Sequence, residues 1–262
     1  MKKTRKKLIS PKEMAEKIYE DFDFKFPKEV DLEIIANSEC ILIETIALTE
    51  GDGLIIFNQD GGIIKVNSKI IDRGWIRFTI AHELGHYFHA KYNNSLSSQY
   101  EIKTVRNKMD EREGELFANE FAANLLMPEN FYLDFMKYRE PAIKNFNKVS
   151  EEFCVSLPAA AVRYTKLGSE PIAVIFSEDG KVKWKFESEE FPFKYIRYNS
   201  KVPHISAAHS LLNSSEEFVT NEIKCNVWYY ADSKAKKSNV ILKEESMRID
   251  GKSAILTILR LV

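Results

Sequence analysis

The sequence predicts an α+β protein built from three parts, and three observations support this fold class. Apolar residues recur at helical spacing through much of the first half of the 262-residue chain, where a histidine-rich motif also lies. An alanine-rich helical stretch follows. From residue 170 onward apolar and polar residues alternate, which indicates strands. We therefore divide the chain into residues 1–135, 136–168 and 169–262.

Composition narrows the class of protein. With 44% hydrophobic residues the chain can bury a sizeable core, and its net charge of -1 creates no overall field that favours nucleic acid or a membrane. The basic first residues are not followed by the apolar run of a secretory signal, and no stretch has the length of a membrane-spanning helix. The three cysteines form no paired motif, which fits reduced thiols. We therefore expect a cytoplasmic protein that does not bind a membrane.

Two helices are predicted near the start. The stretch Ser10–Glu13 has the pattern of a helix beginning, with serine as the cap, proline in the first position and glutamate three residues after the cap. Apolar residues at helical spacing continue to Phe22, and Pro27 ends that segment. A second, shorter helix is predicted over Val30–Ala36.

A strand and a hairpin are predicted next. The β-branched and apolar run Ile41–Ile46 indicates a strand. Leu54–Phe57 and Ile63–Asn67 are two further apolar runs, and the turn residues between them predict a hairpin. The free edge of such a strand could pair with the backbone of an extended peptide.

The central motif lies in the next predicted helix, Trp75–His89, and has the pattern H-E-x-x-H. Residues four apart lie on one face of a helix, so His82 and His86 can direct both imidazoles at one metal ion. Zn²⁺ takes neutral imidazole nitrogen readily and is usually four-coordinate. Glu83 is rotated from His82 by about 100°, which suits a general base acting on water better than a third ligand.

This stretch also has a plainer interpretation. Its apolar stripe makes it a core helix, and a histidine on such a helix is more often a hydrogen-bonded core residue than a ligand. The composition argues for a metal site, because three of only five histidines in the chain fall between positions 82 and 89. We interpret the third of them, His89, as a polar residue near the helix end.

A second long helix is predicted over Asp110–Met127, and Pro128 ends it. It carries four glutamates, namely Glu111, Glu113, Glu115 and Glu120. Most of them should be solvated surface charges. One carboxylate, however, would complete a set of two histidines and one glutamate and leave a fourth position for water.

The two motifs together resemble the ImmA/IrrE family of bacterial metallopeptidases. The resemblance rests on Phe78–His86 and on Glu115–Pro128, and weaker similarity extends upstream to Pro27–Ala36 and to Val66–Asn67. It covers roughly residues 10–130. It implies a zincin- or gluzincin-like fold for residues 1–135, with Zn²⁺ as the cofactor.

The resemblance also implies individual roles. In related gluzincin-type peptidases the third ligand is the glutamate of an E-x-x-x-D/N element, which here is Glu115, and Asn119 would support a ligand from behind. Phe117 stands where many relatives have an acidic residue, so Glu113 stays open as an alternative ligand. The implied metal ligands are His82, His86 and Glu115.

The implied activity is that of a zinc endopeptidase in a stress- or mobile-element-response pathway, with a transcriptional repressor of the helix-turn-helix type as its protein substrate. Glu83 would be the catalytic base, and Tyr87 or Tyr100 could stabilise the oxyanion. Two alternatives stay open: a metal-stabilised DNA-binding regulator, and a toxin–antitoxin component that acts by binding. A regulator needs the ligands without the base, whereas a peptidase needs both.

Residues 136–168 are predicted to form two or three short helices. Val155-Ser156 followed by an alanine-rich helix is typical of a helix-turn-helix, and family members of the IrrE type carry a small helical domain here. The second helix offers Arg163 and Lys166 as basic residues, which is few for a DNA interface. We therefore favour a structural or protein-contact role for residues 146–168 over DNA binding.

Residues 169–262 are predicted to form a separate α+β module, and the resemblance implies a GAF-like sensor domain for a small molecule or another signal. Pro171–Phe176 and Val182–Phe186 predict a hairpin. The remaining candidates are a helix at Ala207–Leu212 and strands at Val227–Tyr230, Ser238–Glu245, Ser246–Ile249 and Ala254–Leu261.

Two sets of side chains in this module are candidate sites. Four aromatic residues could line a ligand pocket, although aromatic residues of strands are more often core: Trp184, Trp228, Tyr229 and Tyr230. His204 and His209 are five residues apart, which on a helix separates them by about 140° and makes them a poor pair for one metal.

Overall fold

A computed structural model describes residues 9–92, 101–102, 108–249 and 253–262 of the protein. The architecture is α+β with two sheets, as the sequence predicts. The chain divides into two compact units: residues 1–131 with 152–155, and residues 132–151 with 156–262. The predicted helical part, 136–168, thus lies mostly in the second unit.

The first unit begins with the predicted capped helix, α1 (Pro11–Asp21). The Ser10 hydroxyl accepts a hydrogen bond from the Glu13 amide at 3.1 Å, and the Glu13 carboxylate accepts one from the Ser10 amide at 2.8 Å. These reciprocal bonds satisfy two amides that the helix itself leaves free. A 3₁₀ turn (Pro27–Glu29) and α2 (Leu32–Ser38) follow.

A four-stranded sheet comes next, in the order β1-β3-β2-β4. Its strands are β1 (Ile41–Ile46), β2 (Gly53–Asn58), β3 (Gly61–Asn67) and β4 (Glu101–Ile102). The predicted hairpin is β2 with β3, and β1 runs parallel to β3. β4 pairs with β2 only at Ile56 and Phe57. Within the described residues, Gly53–Ile55 therefore has no strand partner on that edge.

Two long helices carry the two motifs: α3 (Arg73–Tyr92), which packs on β2 and β3, and α4 (Lys108–Leu126), which packs on α3 and α1. Their facing apolar side chains form the core of the first unit and are almost wholly buried: Ile80, Ala81, Leu84, Phe88, Phe117, Ala118, Phe121, Ala122 and Leu125. Although α3 has 20 residues, neither it nor any other helix in the described ranges is apolar enough to cross a membrane.

Three helices follow: α5 (Glu129–Met136), α6 (Ile143–Phe153) and α7 (Leu157–Leu167). The turn between α6 and α7 places Cys154 at a positive φ of 51°, and the Ser156 hydroxyl caps α7 by accepting from the Ala159 amide. Arg163 is only 4% exposed, whereas Lys166 faces solvent. One of the two basic residues that could have met DNA is therefore inside the fold.

The second unit is organised on a five-stranded antiparallel sheet in the order β6-β5-β9-β8-β7. Its strands are β5 (Ile172–Glu178), β6 (Lys181–Glu187), β7 (Phe218–Lys224), β8 (Ile241–Ile249) and β9 (Ala254–Leu261). Its short helices are α8 (Ala207–Leu212), α9 (Cys225–Trp228) and α10 (Ser233–Lys236).

In this unit one strand prediction is wrong, one strand was missed, and two predicted strands are a single strand. Val227–Tyr230 is not a strand, because it falls on the end of α9 and the following turn. The aromatic residues there reflect burial rather than extended backbone. Phe218–Lys224, which is the edge strand β7, was not predicted, since most of its side chains are exposed and polar. The strands predicted at Ser238–Glu245 and Ser246–Ile249 are confirmed from Ile241 onward, but they are continuous and form the single strand β8.

Candidate metal centre

The centre is built where α3 and α4 approach most closely. A Cβ atom on Gly85 would lie 2.8 Å from the Cα atom of Ala118 and 3.1 Å from the ring of Phe121. Only glycine at position 85 therefore lets the backbone of α4 come this near. Glu115 lies three residues before Ala118, on the same side of α4. The close approach thus brings its carboxylate to the histidines of α3.

His82, His86 and Glu115 converge on one point. The Nε2 atoms of the two histidines are 3.0 Å apart, and Glu115 oxygens lie 3.4 Å from His82 Nε2 and 3.1 Å from His86 Nε2. Among the described residues, this is the one group of three or more histidines, cysteines or acids with ligand atoms all within 4.8 Å of one another. Glu113 is exposed and outside this group.

The spacing and chemistry of these donors fit a metal ion. Ligand atoms about 2.0–2.1 Å from a tetrahedral ion lie roughly 3.3 Å from each other, which is close to the three distances observed. Two imidazole nitrogens and one carboxylate are also a donor set found in catalytic zinc sites. The cluster could therefore hold a metal ion.

Burial and charge differ across the cluster. The His86 side chain is 4% exposed and that of His82 is 18% exposed, whereas Glu115 is 49% exposed. Solvent therefore reaches the cluster from the Glu115 side. The neighbouring His82 and His86 hold the pKa of the Glu115 carboxyl well below its usual range, so this ligand is anionic at neutral pH.

Asn119 fixes the orientation of one imidazole. Its side-chain oxygen lies 3.2 Å from His82 Nδ1. Because that oxygen can only accept, Nδ1 carries the proton, and the lone pair of Nε2 faces the cluster. This contact is the one that the family resemblance implies. It follows from helix geometry, since Asn119 lies one turn after Glu115 on α4.

Glu83 lies beside the cluster without belonging to it. It is 7% exposed, and a Cβ atom on Gly53 would come within 3.3 Å of its Oε1 atom and 2.5 Å of the Thr79 Cγ2 atom. The Glu83 carboxylate therefore lies against the first residue of β2, in space that only glycine leaves open. Sequence reasoning gave Gly53 no role at this site.

The turn that contains Gly53 is anchored on both sides. The Asn67 side chain donates to the Gly51 carbonyl at 2.8 Å, and the Trp75 indole donates to the Asp52 carboxylate at 3.1 Å. These bonds connect the turn to β3 and to the first turn of α3. Both the sheet and the helix that bears the motif therefore hold Gly53 in place against Glu83.

The tyrosine candidates for oxyanion stabilisation have different outcomes. The Tyr87 hydroxyl donates to the Glu39 carboxylate at 3.0 Å, and burial together with Glu39 raises the pKa of Tyr87. This hydroxyl is thus committed to Glu39 and not to the cluster. Tyr100 lies outside the described residues. The His89 ring packs 4.9 Å from the ring of Phe117 near the end of α3, as a polar residue outside the metal set.

The aromatic residues of the second unit do not line one pocket. Trp228 and Tyr229 are buried in the apolar core of that unit. Trp184 instead stacks on Phe176 with ring centroids 5.0 Å apart, and Tyr230 is 46% exposed. The predicted sensor role of this unit therefore receives no support from these four side chains.

Comparison with known families identifies the kind of domain that carries the H-E-x-x-H motif. Residues 41–165 match the model of the family described as the IrrE N-terminal-like domain, Peptidase_M78. This part of the chain is similar to the IrrE N-terminal-like domain. The IrrE-like domain contains β1, both motif helices and the whole cluster, and it extends through most of α7. The family resemblance seen in the sequence is confirmed.

A solved structure resembles a larger part of the chain. It is that of a Mycobacterium tuberculosis transcriptional regulator, with a TM-score of 0.62 and 11% sequence identity over 96% of this chain and 88% of that chain. At this identity the likeness shows the fold alone. No curated protein sequence is significantly similar to the chain.

Proposed function

We propose that the IrrE-like domain is a zinc-dependent endopeptidase of the cytoplasm that cleaves a transcriptional repressor in a response to stress or to a mobile element. The observation that carries this proposal is the pairing of two different carboxylates. Glu115 lies within the histidine cluster, while Glu83 is buried next to it and outside it. A purely structural metal site needs the first carboxylate and has no use for the second.

His82, His86 and Glu115 would hold Zn²⁺ and leave one coordination position open on the solvent side. When bound, Zn²⁺ supplies a Lewis acid that lowers the pKa of water towards 7 and polarises a carbonyl. Asn119 keeps the Nδ1 proton on His82, which leaves Nε2 free as a ligand. The domain would then be gluzincin-like, with α4 supplying the third ligand.

Glu83 would act as the general base and then as the general acid. Its carboxylate accepts a proton from the attacking water and later delivers it to the nitrogen of the leaving amine. Burial against Gly53 fixes the carboxylate in one place, so little ordering is needed when the reaction begins. Among the described residues the edge of β2 has no strand partner at Gly53–Ile55, next to Glu83, and an extended substrate backbone could pair there.

The second candidate function is a metal-stabilised regulator. It is favoured by the name of the similar mycobacterial structure, a transcriptional regulator. In that case residues 136–262, with their helix-turn-helix-like and GAF-like parts, would give the output, and the cluster would only stabilise the fold. A toxin–antitoxin component that acts by binding would behave in the same way. The buried Arg163 makes α7 better suited to contact protein than DNA.

A comparison of protein N-termini in cells separates these functions. The wild-type chain and Glu83→Gln are expressed at equal level in a host that carries the neighbouring genes, and newly formed N-termini are identified by mass spectrometry. We expect a cut repressor with wild type and none with Glu83→Gln. If Glu83→Gln produces the full change in transcription without any new N-terminus in either strain, the chain is a regulator and not a peptidase.

A further inference from the structure

The second unit brings two more histidines together. His204 Nδ1 lies 3.4 Å from His209 Nε2, and the two rings meet edge to face with centroids 4.7 Å apart. The corresponding centroid distance for His82 and His86 is 4.6 Å. The separation of about 140° expected for this spacing on a helix does not describe the pair, because only His209 lies on a helix. α8 begins only at residue 207, and His204 precedes it.

The backbone that carries this pair is fixed by polar contacts on both sides. The Ser206 hydroxyl donates to the Pro203 carbonyl at 2.6 Å and accepts from the His209 amide at 3.1 Å. The Glu244 carboxylate is fully buried and accepts from the Ala207 amide at 2.9 Å. The turn before α8 and the first turn of α8 are therefore held in one arrangement that does not depend on the histidine rings.

A third donor lies next to the pair. The side-chain amide of Asn213 is 3.4 Å from His209 Nε2 and donates to the His209 carbonyl at 3.1 Å. A half-turn of this amide, about a torsion that is broad and roughly two-fold, presents its oxygen to the same point. His204 and Asn213 are exposed, so an ion and its remaining water ligands can reach the site.

The distance between the two nitrogens matches metal coordination. Two nitrogen ligands of a tetrahedral ion lie roughly 3.3 Å apart, and the observed distance is 3.4 Å. Imidazole suits Zn²⁺, Cu²⁺ and Ni²⁺, whereas Mg²⁺ and Ca²⁺ prefer oxygen ligands. In the described part of the chain, no carboxylate or thiolate joins this pair to make a group of three. The site would thus bind a dication through neutral donors only.

We propose that His204, His209 and Asn213 form a second transition-metal site, which binds Zn²⁺ more weakly than the cluster between α3 and α4. Binding there would connect the turn before α8 to the helix itself. Because the ion would bind the folded state, the second unit should become more stable as free Zn²⁺ rises. This proposal does not depend on whether the first unit is a peptidase.

Zinc stoichiometry of the full-length chain tests the proposal. We expect about two Zn²⁺ per wild-type chain and about one in the His204→Ala/His209→Ala variant. Ser210→Ala, at an exposed position of α8 next to His209, is the matched control and should keep both ions. Mg²⁺ at the same concentration should not compete.

A second measurement isolates the proposed site. In a chain that already carries His82→Ala and His86→Ala, titration calorimetry should detect about one weaker Zn²⁺, and adding His204→Ala/His209→Ala should abolish it. Asn213→Ala should weaken Zn²⁺ binding less than His204→Ala/His209→Ala does. Equal zinc binding by folded chains with and without His204 and His209, in either background, would show that the two imidazoles are only a hydrogen-bonded surface pair.

Discussion

The two histidine pairs of this protein share their ring geometry and differ in their surroundings. His82 and His86 lie one turn apart on a single helix, are mostly buried, and face the carboxylate of Glu115. His204 and His209 meet across the start of a short helix at the surface, and the neighbouring side chain there is a neutral amide. Similar spacing of nitrogens thus occurs in two different electrostatic environments.

The difference in charge and burial between the two pairs indicates which features a pair of imidazoles needs to act as a catalytic metal site. An anionic ligand balances part of the charge of a dication, and burial strengthens that interaction. A second carboxylate, Glu83, then lies within the fold beside the first pair. The second pair has neither feature. We therefore expect chemistry at the first pair and binding alone at the second, and the following variants test this contrast.

The largest effect is expected from removing one histidine of the first pair. His82→Ala or His86→Ala should abolish both stoichiometric zinc binding at this cluster and peptide cleavage, because two protein ligands are too few for a stable catalytic site. His89→Ala on the same helix is the control and should keep zinc. Zinc content by atomic emission and cleavage measured on the same samples check this. Cleavage by a zinc-free His82→Ala chain would contradict it.

The next effect separates the two candidate carboxylates. Glu115→Ala should strongly weaken zinc binding, since it removes the one anionic donor of the cluster. Glu113→Ala should bind zinc like wild type, because that side chain is exposed and lies outside the group. Competition with a chromophoric chelator measures both affinities. The reverse result would mean that Glu113 is the ligand.

These contrasts also show how far sequence reasoning reaches. The pattern of α3 predicts the pairing of His82 and His86, because both lie within one helix and helix geometry is regular. The choice between Glu113 and Glu115 depends on how α3 packs on α4, and the clue was Gly85, whose missing Cβ sets that distance.

Features that depend on turns or on tertiary burial were not predictable in the same way. The helix predicted at Ala207–Leu212 is confirmed, but the contact of His204 with His209 across its start depends on the conformation of the preceding turn, which residue spacing does not give. The segment Val227–Tyr230 has strand-forming residues but packs as part of a short helix in the core. At Val227–Tyr230 tertiary contacts therefore outweigh the local preference of the sequence.

The two asparagines sharpen the comparison further. Asn119→Ala should lower zinc affinity at the first cluster by about 10- to 100-fold, which is the usual effect of removing the partner of a histidine ligand. Asn213→Ala should leave this affinity unchanged and affect only the weaker second binding event. Two-site fits to zinc titrations of both variants provide the measurement. Equal affinity of Asn119→Ala and wild type for the first ion would contradict the role given to Asn119.

A smaller effect on cleavage is expected from changing Gly53, against which Glu83 lies. Gly53→Ala adds a methyl group 2.5 Å from Thr79 Cγ2 and 3.3 Å from Glu83 Oε1. It should keep zinc but slow cleavage, by up to about 10²-fold if the base shifts by about 1 Å. Adding Thr79→Ser removes the nearer obstruction and should restore part of the rate. Wild-type cleavage by a folded Gly53→Ala chain would show that this contact does not position Glu83.

The most direct test of the central claim is the rate of Glu83→Gln with its metal measured in parallel. The purified chain is assayed on a peptide that spans a cut site found in cells. We predict unchanged zinc content, because Glu83 lies outside the cluster, and cleavage slower by roughly 10²–10⁴-fold, because the general base is gone. Retention of zinc together with a wild-type cleavage rate would contradict the assignment of Glu83 as the base.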